Sequence, residues 1–151
     1  MQDLALVINL GSSSLKAALV DSTGASLWHS GRSLQPEESL DGVLSSWLAP
    51  ELAPYRQGIT LVGHRVVHGG EHFTAPTRID DQVETTLQEL VPLAPLHNPP
   101  ALKGLAWARG WAPDLPLSSP LLGFFPSPLF SFFQAWLDEL CCHFEEAFSQ
   151  I

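Results

Sequence analysis

The amino-acid sequence predicts an α/β fold in which a mixed β-sheet is flanked by helices. In the first third of the chain, segments rich in strand-forming residues are separated by turn-forming residues, while later segments carry apolar residues at helical spacing. A further strand-like segment, apolar on both faces, follows the first of these helical segments. Strands that come first, followed by helices and another strand, are typical of a sheet with both parallel and antiparallel pairs. The chain has 151 residues, which corresponds to about one domain.

The predicted strands come from three neighbouring segments and a fourth further along. Segments 4–10 and 15–20 are rich in Leu, Val and Ile and are joined by GSSS, which predicts a β-hairpin. The sequence STG at 22–24 predicts a second turn into a third strand at 25–33. The segment ITLVGHRVV, at 59–67, has apolar residues on both faces and is therefore predicted as a buried strand.

A first helix is predicted from Leu40, because the apolar residues up to Leu48 recur three and four positions apart. Pro50 and Pro54 follow directly. Since proline lacks an N–H and clashes with the preceding turn, we expect the helical pattern to break there.

Two more helices are predicted in the middle of the chain. One covers the apolar positions in 83–91, with Asp80 and Asp81 at its start as cap and dipole partners. The other is expected to begin with Asn98 as its N-cap, followed by the pair Pro99-Pro100 in the first turn, where proline is tolerated.

Charge and cysteine content exclude several classes of function. The chain has 7 Lys and Arg against 16 Asp and Glu, a net charge of −9, which argues against a nucleic-acid partner. The N-terminus lacks the basic start and uninterrupted apolar core of a signal peptide. The only cysteines, Cys141 and Cys142, are adjacent and do not form a disulfide framework. We therefore expect a cytoplasmic location.

The GSSS turn has the composition of a phosphate-binding turn. Its glycine permits close approach of a ligand to the backbone, and Ser12, Ser13 and Ser14 add hydrogen-bond donors without bulk. Lys16 adds a cation suited to phosphate, and Asn9 ends the first strand with a neutral oxygen that suits Mg²⁺. An ordinary β-hairpin would have the same pattern, so both interpretations stay open at this point.

A cationic strand end follows in the sequence GHRVVHGG. Alternation along a strand places Gly63, Arg65 and Val67 on one face, and His64 and His68 on the other. An arginine beside a small apolar side chain suits a ligand with a carboxylate and a short alkyl group, although the arginine could instead pair with a structural carboxylate. The two histidines are expected to be packed or hydrogen-bonded rather than catalytic.

A third candidate is His97, which directly precedes the predicted helix that begins at residue 98. The positive end of the helix dipole disfavours an imidazolium there. A neutral imidazole in this place could donate a hydrogen bond to a negatively charged transition state, or it could be a structural histidine beside a cap.

Together the three segments LVINLGSSSLKAALVD, VGHRVVHGGEHFTAPTRID and LAPLHNPPALKG resemble the acetate kinase (acetokinase) family. The resemblance covers about residues 4–116. It implies a ribonuclease H-like, actin-like lobe and transfer of a phosphoryl group from ATP to acetate, giving acetyl phosphate and ADP, with Mg²⁺. By this resemblance Asn9 binds Mg²⁺, and Lys16 with the serine turn faces the ATP phosphates.

The same resemblance assigns the acetate side of the site. Arg65 would bind the acetate carboxylate and the phosphoryl group in transfer, Val67 and Leu96 would line the methyl pocket, and His97 would stabilise the transition state. A relative that prefers propionate or butyrate is the alternative within this class. Complete members of the family are expected to be homodimers.

The resemblance ends where the composition changes, which divides the chain into a lobe at 1–116 and a tail at 117–151. The tail has no Lys or Arg, holds seven of the eight phenylalanines and lacks the family's following strand with its essential aspartate. It is either an out-of-frame product or a genuine interaction or membrane-surface segment, and its prolines argue against a membrane span. Because such a chain supplies one side of the transferring group, we expect it to be inactive alone.

Overall fold

In the part of the chain that the structure describes, the protein forms a six-stranded mixed β-sheet with helices packed against it, as the sequence predicts. The structure, a computed structural model, describes residues 3–66, 69–73 and 77–119. The strands lie in the order β3-β2-β1-β4-β6-β5. Their bounds are Leu4–Leu10 (β1), Ser14–Asp21 (β2), Ser26–Ser33 (β3), Ile59–His64 (β4), Thr77–Arg78 (β5) and Leu117–Ser119 (β6).

The predicted N-terminal meander is confirmed. Strand β2 pairs antiparallel with both β1 and β3, whereas β4 lies on the other side of β1 and runs parallel to it. Strand β6 is parallel to β4, and the short β5 is antiparallel to β6. The centre of the sheet is therefore three parallel strands, β1, β4 and β6, whose carboxyl ends meet at one edge.

The first helical segment continues through both prolines, so the predicted break at Pro50 and Pro54 is wrong. A π-helical turn lies between two α-helical turns, and within it the N–H of Ala49 donates to the carbonyl of Leu44. This shift places Pro50 in the first turn of the following helix, where a missing N–H costs little. The bounds are Leu40–Val43 (α1), Leu44–Leu48 (π), Ala49–Leu52 (α2) and Ala53–Tyr55 (3₁₀).

The two later helices are Asp81–Glu89 (α3) and Asn98–Trp111 (α4), with a 3₁₀ turn at Val91–Leu93 between them. Asp80 caps α3 as predicted. The predicted cap of α4 is wrong by one residue, because the carbonyl of His97 accepts from the N–H of Ala101 and so makes His97 the N-cap. Asn98 is the first helical residue and is buried.

Helix α4 contacts both the β-sheet and other helices of the fold. It packs against β1, β4 and β6 and also against α1 and α3. The buried core between these layers is apolar and includes Leu6, Ile8, Leu15, Leu19, Leu44, Leu48, Leu52, Leu87 and Leu105. None of the helices in the described ranges is long and apolar enough to span a membrane.

The segment predicted as a tail begins inside this sheet. Its first three residues form β6, in which Leu117 pairs with Val62 of β4. Residues 120–151, including the phenylalanine-rich part and both cysteines, lie outside the described residues, so the division at 116 and 117 stays a prediction.

Candidate functional site

The turn between β1 and β2 is a tight, solvent-exposed hairpin. The N–H of Gly11 donates to the carbonyl of Ser14 at 2.9 Å, and the N–H of Leu34 donates to the carbonyl of Ser13 at 2.8 Å. Ser12 and Ser13 are exposed, while Ser14 is half-buried at the start of β2. A β-carbon at residue 11 would meet only the Ser14 carbonyl oxygen, at 3.7 Å. The turn itself therefore does not require glycine, and its backbone is open to a ligand.

Asn9 and Lys16 lie directly opposite each other on β1 and β2. Directly opposed residues of antiparallel strands project from the same face, so the amide and the ammonium group share one face near the turn. On the next strand Gly31 lies opposite Lys16, and a β-carbon there would be 3.4 Å from Cγ of the lysine. A side chain at residue 31 would therefore come into ordinary van der Waals contact with the aliphatic stem of Lys16.

Arg65 is the first residue after β4, at the edge where the parallel strands end. Its N–H donates to the carbonyl of Ile8 at 3.0 Å, and Ile8 directly precedes Asn9. Arg65 and Asn9 therefore lie side by side near the ends of two adjacent parallel strands. The arginine side chain is half-buried. Val67 and His68, also named from the sequence, lie outside the described residues.

His64, the last residue of β4, is completely buried. Its Nδ1 lies 2.8 Å from the carbonyl oxygen of Arg65. Because a carbonyl only accepts, Nδ1 carries the proton and Nε2 does not. Burial lowers the pKa of this imidazole to about 4, so the ring is neutral at neutral pH. The ring is packed and hydrogen-bonded, as the sequence predicts.

His97 and Leu96 lie at the start of α4 and are both exposed, with Leu96 at 70%. The His97 side chain makes no capping hydrogen bond. Helix α4 leads into β6, which runs parallel to β4, so α4 runs antiparallel to both strands. Its N-terminus therefore lies on the side of the sheet where the parallel strands end, the usual ligand-binding side of such sheets.

The serine turn, Asn9, Lys16 and Arg65 thus lie where the parallel strands end, and α4 begins with His97 at the same end of the sheet. These groups are neutral or cationic, which suits an anionic ligand. Asn9 fits a Mg²⁺ ion that takes its other ligands from water and phosphate oxygens. In the described ranges no three His, Cys, Asp or Glu side chains are grouped so as to hold a metal ion by themselves.

Sequence reasoning missed one residue of this region, Gly104, which lies in the middle of α4 against the ring of His64. The feature of the sequence that could have pointed to Gly104 is its position within a helical pattern, because a glycine there is unfavourable unless something packs closely against it.

Known proteins are similar to this chain in both sequence and fold. The acetate kinase of Streptomyces coelicolor is 52% identical over 68 residues, which cover 45% of this chain and 15% of that protein. The acetate kinase of Streptomyces griseus is 38% identical over 141 residues, covering 74% of this chain and 34% of that protein. The crystal structure of a propionate kinase from Francisella tularensis superposes with a TM-score of 0.66 at 28% identity, covering 78% of this chain and 36% of that one.

The chain therefore spans about a third or less of the length of each of these relatives. A sequence model of the Acetokinase family matches residues 29–119, which includes Arg65 and His97 and leaves the serine hairpin outside the matched range. This match covers more than half of the chain. The chain belongs to the Acetokinase family.

Proposed function

We propose that this chain carries the phosphate and carboxylate contacts of one lobe of an acetate kinase. The enzyme would transfer the γ-phosphoryl group of ATP to acetate, giving acetyl phosphate and ADP. The observation that carries the proposal is the hydrogen bond from the N–H of Arg65 to the carbonyl of Ile8. It joins the arginine to the strand that continues through Asn9 into the serine hairpin, so that contacts for two anionic groups start from adjacent strand ends.

The hairpin would bind the nucleotide. Ser12, Ser13 and Ser14 and the open backbone of the turn would donate to phosphate oxygens, and Lys16 would neutralise part of their charge. Asn9 would hold Mg²⁺ through its amide oxygen, and the ion would complete its coordination with water and phosphate oxygens. When bound, Mg²⁺ supplies charge neutralisation on the transferring group.

The end of β4 and the start of α4 would bind acetate. The guanidinium of Arg65 can contact the carboxylate with two parallel donors and then the phosphoryl oxygens. A carboxylate oxygen attacks the γ-phosphorus while the bond to the β–γ bridging oxygen breaks and ADP leaves. His97 would donate a hydrogen bond to the charge that develops, and Val67 with Leu96 would contact the methyl group.

Substrate preference within this class is part of the proposal. Acetate is favoured because the two curated relatives described above are acetate kinases, although the similar solved structure described above is a propionate kinase. Competition among acetate, propionate and butyrate for the same site would rank them. We also propose a cytoplasmic location and, for the complete enzyme, a homodimer.

The test is ligand binding by the full chain, followed through the NMR signals of the isotope-labelled protein. We expect acetyl phosphate to shift signals around residues 63–66, and Arg65→Gln to weaken its binding by roughly tenfold through the loss of charge-assisted hydrogen bonds. Arg78→Gln is the matched control, because Arg78 is an exposed arginine on β5, the far edge of the sheet. Likewise, Lys16→Gln should weaken binding of ATP with Mg²⁺.

Equal affinities of the Arg65 and Arg78 variants for acetyl phosphate would contradict the proposal. Turnover of ATP and acetate by the full chain should be negligible, since groups from one side of the phosphoryl group act poorly without those from the other. Near-normal turnover that depends on Arg65 would contradict the expected inactivity and would support the assigned role of the arginine.

A further inference from the structure

We propose that His64 is a positioning residue whose buried imidazole orients Arg65, and that Gly104 is the space in α4 that admits it. The inference depends on the proposed function, which gives Arg65 its role at the substrate. His64 would act through the backbone of the arginine and would not touch the ligand.

Hydrogen bonds hold both peptide groups that flank the α-carbon of Arg65. The N–H of Arg65 donates to the carbonyl of Ile8 at 3.0 Å, directly after Ile8 and His64, the last paired residues of β1 and β4. The carbonyl of Arg65 lies beyond the end of β4 and accepts from Nδ1 of His64 at 2.8 Å. With both flanking peptide planes fixed, the direction in which the arginine side chain leaves the backbone is fixed as well.

The imidazole of His64 is itself closely packed. The ring is 0% exposed, and its Nε2 faces α4 at Gly104. A β-carbon at residue 104 would lie 2.1 Å from Nε2 and 2.6 Å from Cδ2. Both distances are much shorter than an ordinary van der Waals contact distance. Glycine within a helix is unfavourable relative to alanine, so its presence at 104 is explained by the ring that it accommodates.

A histidine fills this volume although one of its polar atoms has no partner in the part of the chain that the structure describes. In the described ranges Nε2 has no hydrogen-bond partner, and a buried polar atom without a partner is unfavourable. An aliphatic side chain would fill the same space without that cost. What an aliphatic side chain cannot provide is the N–H that His64 donates to the Arg65 carbonyl, and this bond is therefore the reason for the imidazole.

The contact between His64 and Gly104 also connects Arg65 to His97, the candidate residue at the start of α4. His97 lies seven residues before Gly104, which is about 10 Å along the helix axis at 1.5 Å per residue. Because the ring of His64 sets how closely α4 approaches β4 at Gly104, it also influences where the start of α4 lies. A change at residue 64 should therefore affect Arg65 directly and His97 through the helix.

The experiment compares two variants of the full isotope-labelled chain. His64→Leu fills the volume but removes the donor, whereas His64→Asn keeps an N–H near the place of Nδ1. We expect His64→Leu to shift the Arg65 backbone and guanidinium signals and to weaken acetyl phosphate binding by roughly tenfold, as expected when an oriented group is released. His64→Asn should restore most of both, and the melting temperature is measured in parallel.

Unchanged Arg65 signals in a folded His64→Leu variant would overturn the inference. If that variant does not fold, the wild-type chain decides, because the hydrogen bond predicts a scalar coupling between Nδ1 of His64 and the carbonyl carbon of Arg65, and its absence would overturn the inference. If the wild-type chain does not bind acetyl phosphate, the proposed function fails, while the Arg65 signals still test the positioning role.

Discussion

The imidazole of His64 faces the backbone of Gly104 so closely that a β-carbon on the glycine would lie 2.1 Å from Nε2. This contact joins the last residue of β4 to the middle of α4 in the core of the protein. Packing against the ring therefore explains why residue 104 is a glycine, and the hydrogen bond to the carbonyl of Arg65 explains why residue 64 is a histidine.

We expect Gly104→Ala to destabilise the protein. The substitution gains about 1 kcal/mol of helix propensity, but the new methyl group overlaps the buried ring, and overpacking of this kind costs about 1–3 kcal/mol or more. The net loss should appear as a lower midpoint in urea unfolding.

The same helix contains a matched control for this prediction. Gly110 is exposed, and a β-carbon there would meet nothing within 4 Å. Gly110→Ala should therefore stabilise the protein, by up to about 1 kcal/mol. Equal changes in the two variants would contradict the assigned role of the His64 ring.

The buried imidazole also predicts how stability depends on pH. The pKa of His64 is about 4 in the folded protein, against 6.5 for the unperturbed side chain, because burial disfavours the charged form. Between these values the unfolded chain binds more protons than the folded one. The free energy of unfolding should therefore fall as the pH falls from 6.5 towards 4, by about 3 kcal/mol from this residue, and should not depend on this residue above that window.

His64→Leu is the comparison for that measurement. Carboxylates contribute to acid unfolding in both proteins, so the difference between their stability curves isolates the histidine. The variant should have the shallower curve between pH 6.5 and 4. Parallel curves would show that protonation of His64 does not oppose folding.

Features that depend on neighbouring residues in the sequence were predictable. The hairpin around GSSS and the cap at Asp80 follow from short patterns, because the turn and the N-cap are formed by residues close in the chain. The same holds for the location of His97 directly before α4. The mixed sheet followed from the order of these elements.

Features that depend on packing between distant segments were not predictable. The register shift that admits Pro50 is a π-helical turn, which has no local sequence signature. The contact between His64 and Gly104 joins residues 40 positions apart, and β6 is a strand only because it pairs with β4. A single sequence does not show which of its glycines faces a buried ring.

Removing the cap of α3 should destabilise the protein modestly. Oδ1 of Asp80 accepts from the N–H of Val83 at 2.9 Å, which satisfies one of the free donors at the start of the helix. Asp80→Ala should lower the free energy of unfolding by about 1 kcal/mol. Asp80→Asn, which also caps well, should retain most of the stability, and a similar loss in both variants would show that the cap is not the cause.

The turn between β2 and β3 depends on the buried carboxylate of Asp21. Its Oδ1 accepts from the N–H of Thr23 at 2.8 Å, from Oγ1 of the same residue at 2.6 Å and from the N–H of Ala25 at 3.0 Å. Asp21→Ala leaves these donors to solvent and should lower the free energy of unfolding by about 2 kcal/mol, since hydrogen bonds to a charged group are the stronger kind.

Amide hydrogen exchange localises this effect. The amides of Thr23 and Ala25 should exchange faster in Asp21→Ala, because the turn opens more often without opening the rest of the sheet. Asp21→Asn keeps an acceptor oxygen at the same position and should lose less stability and less protection. If Asp21→Ala instead accelerates exchange uniformly across β1, β2 and β3, the carboxylate stabilises the whole meander and not the turn alone.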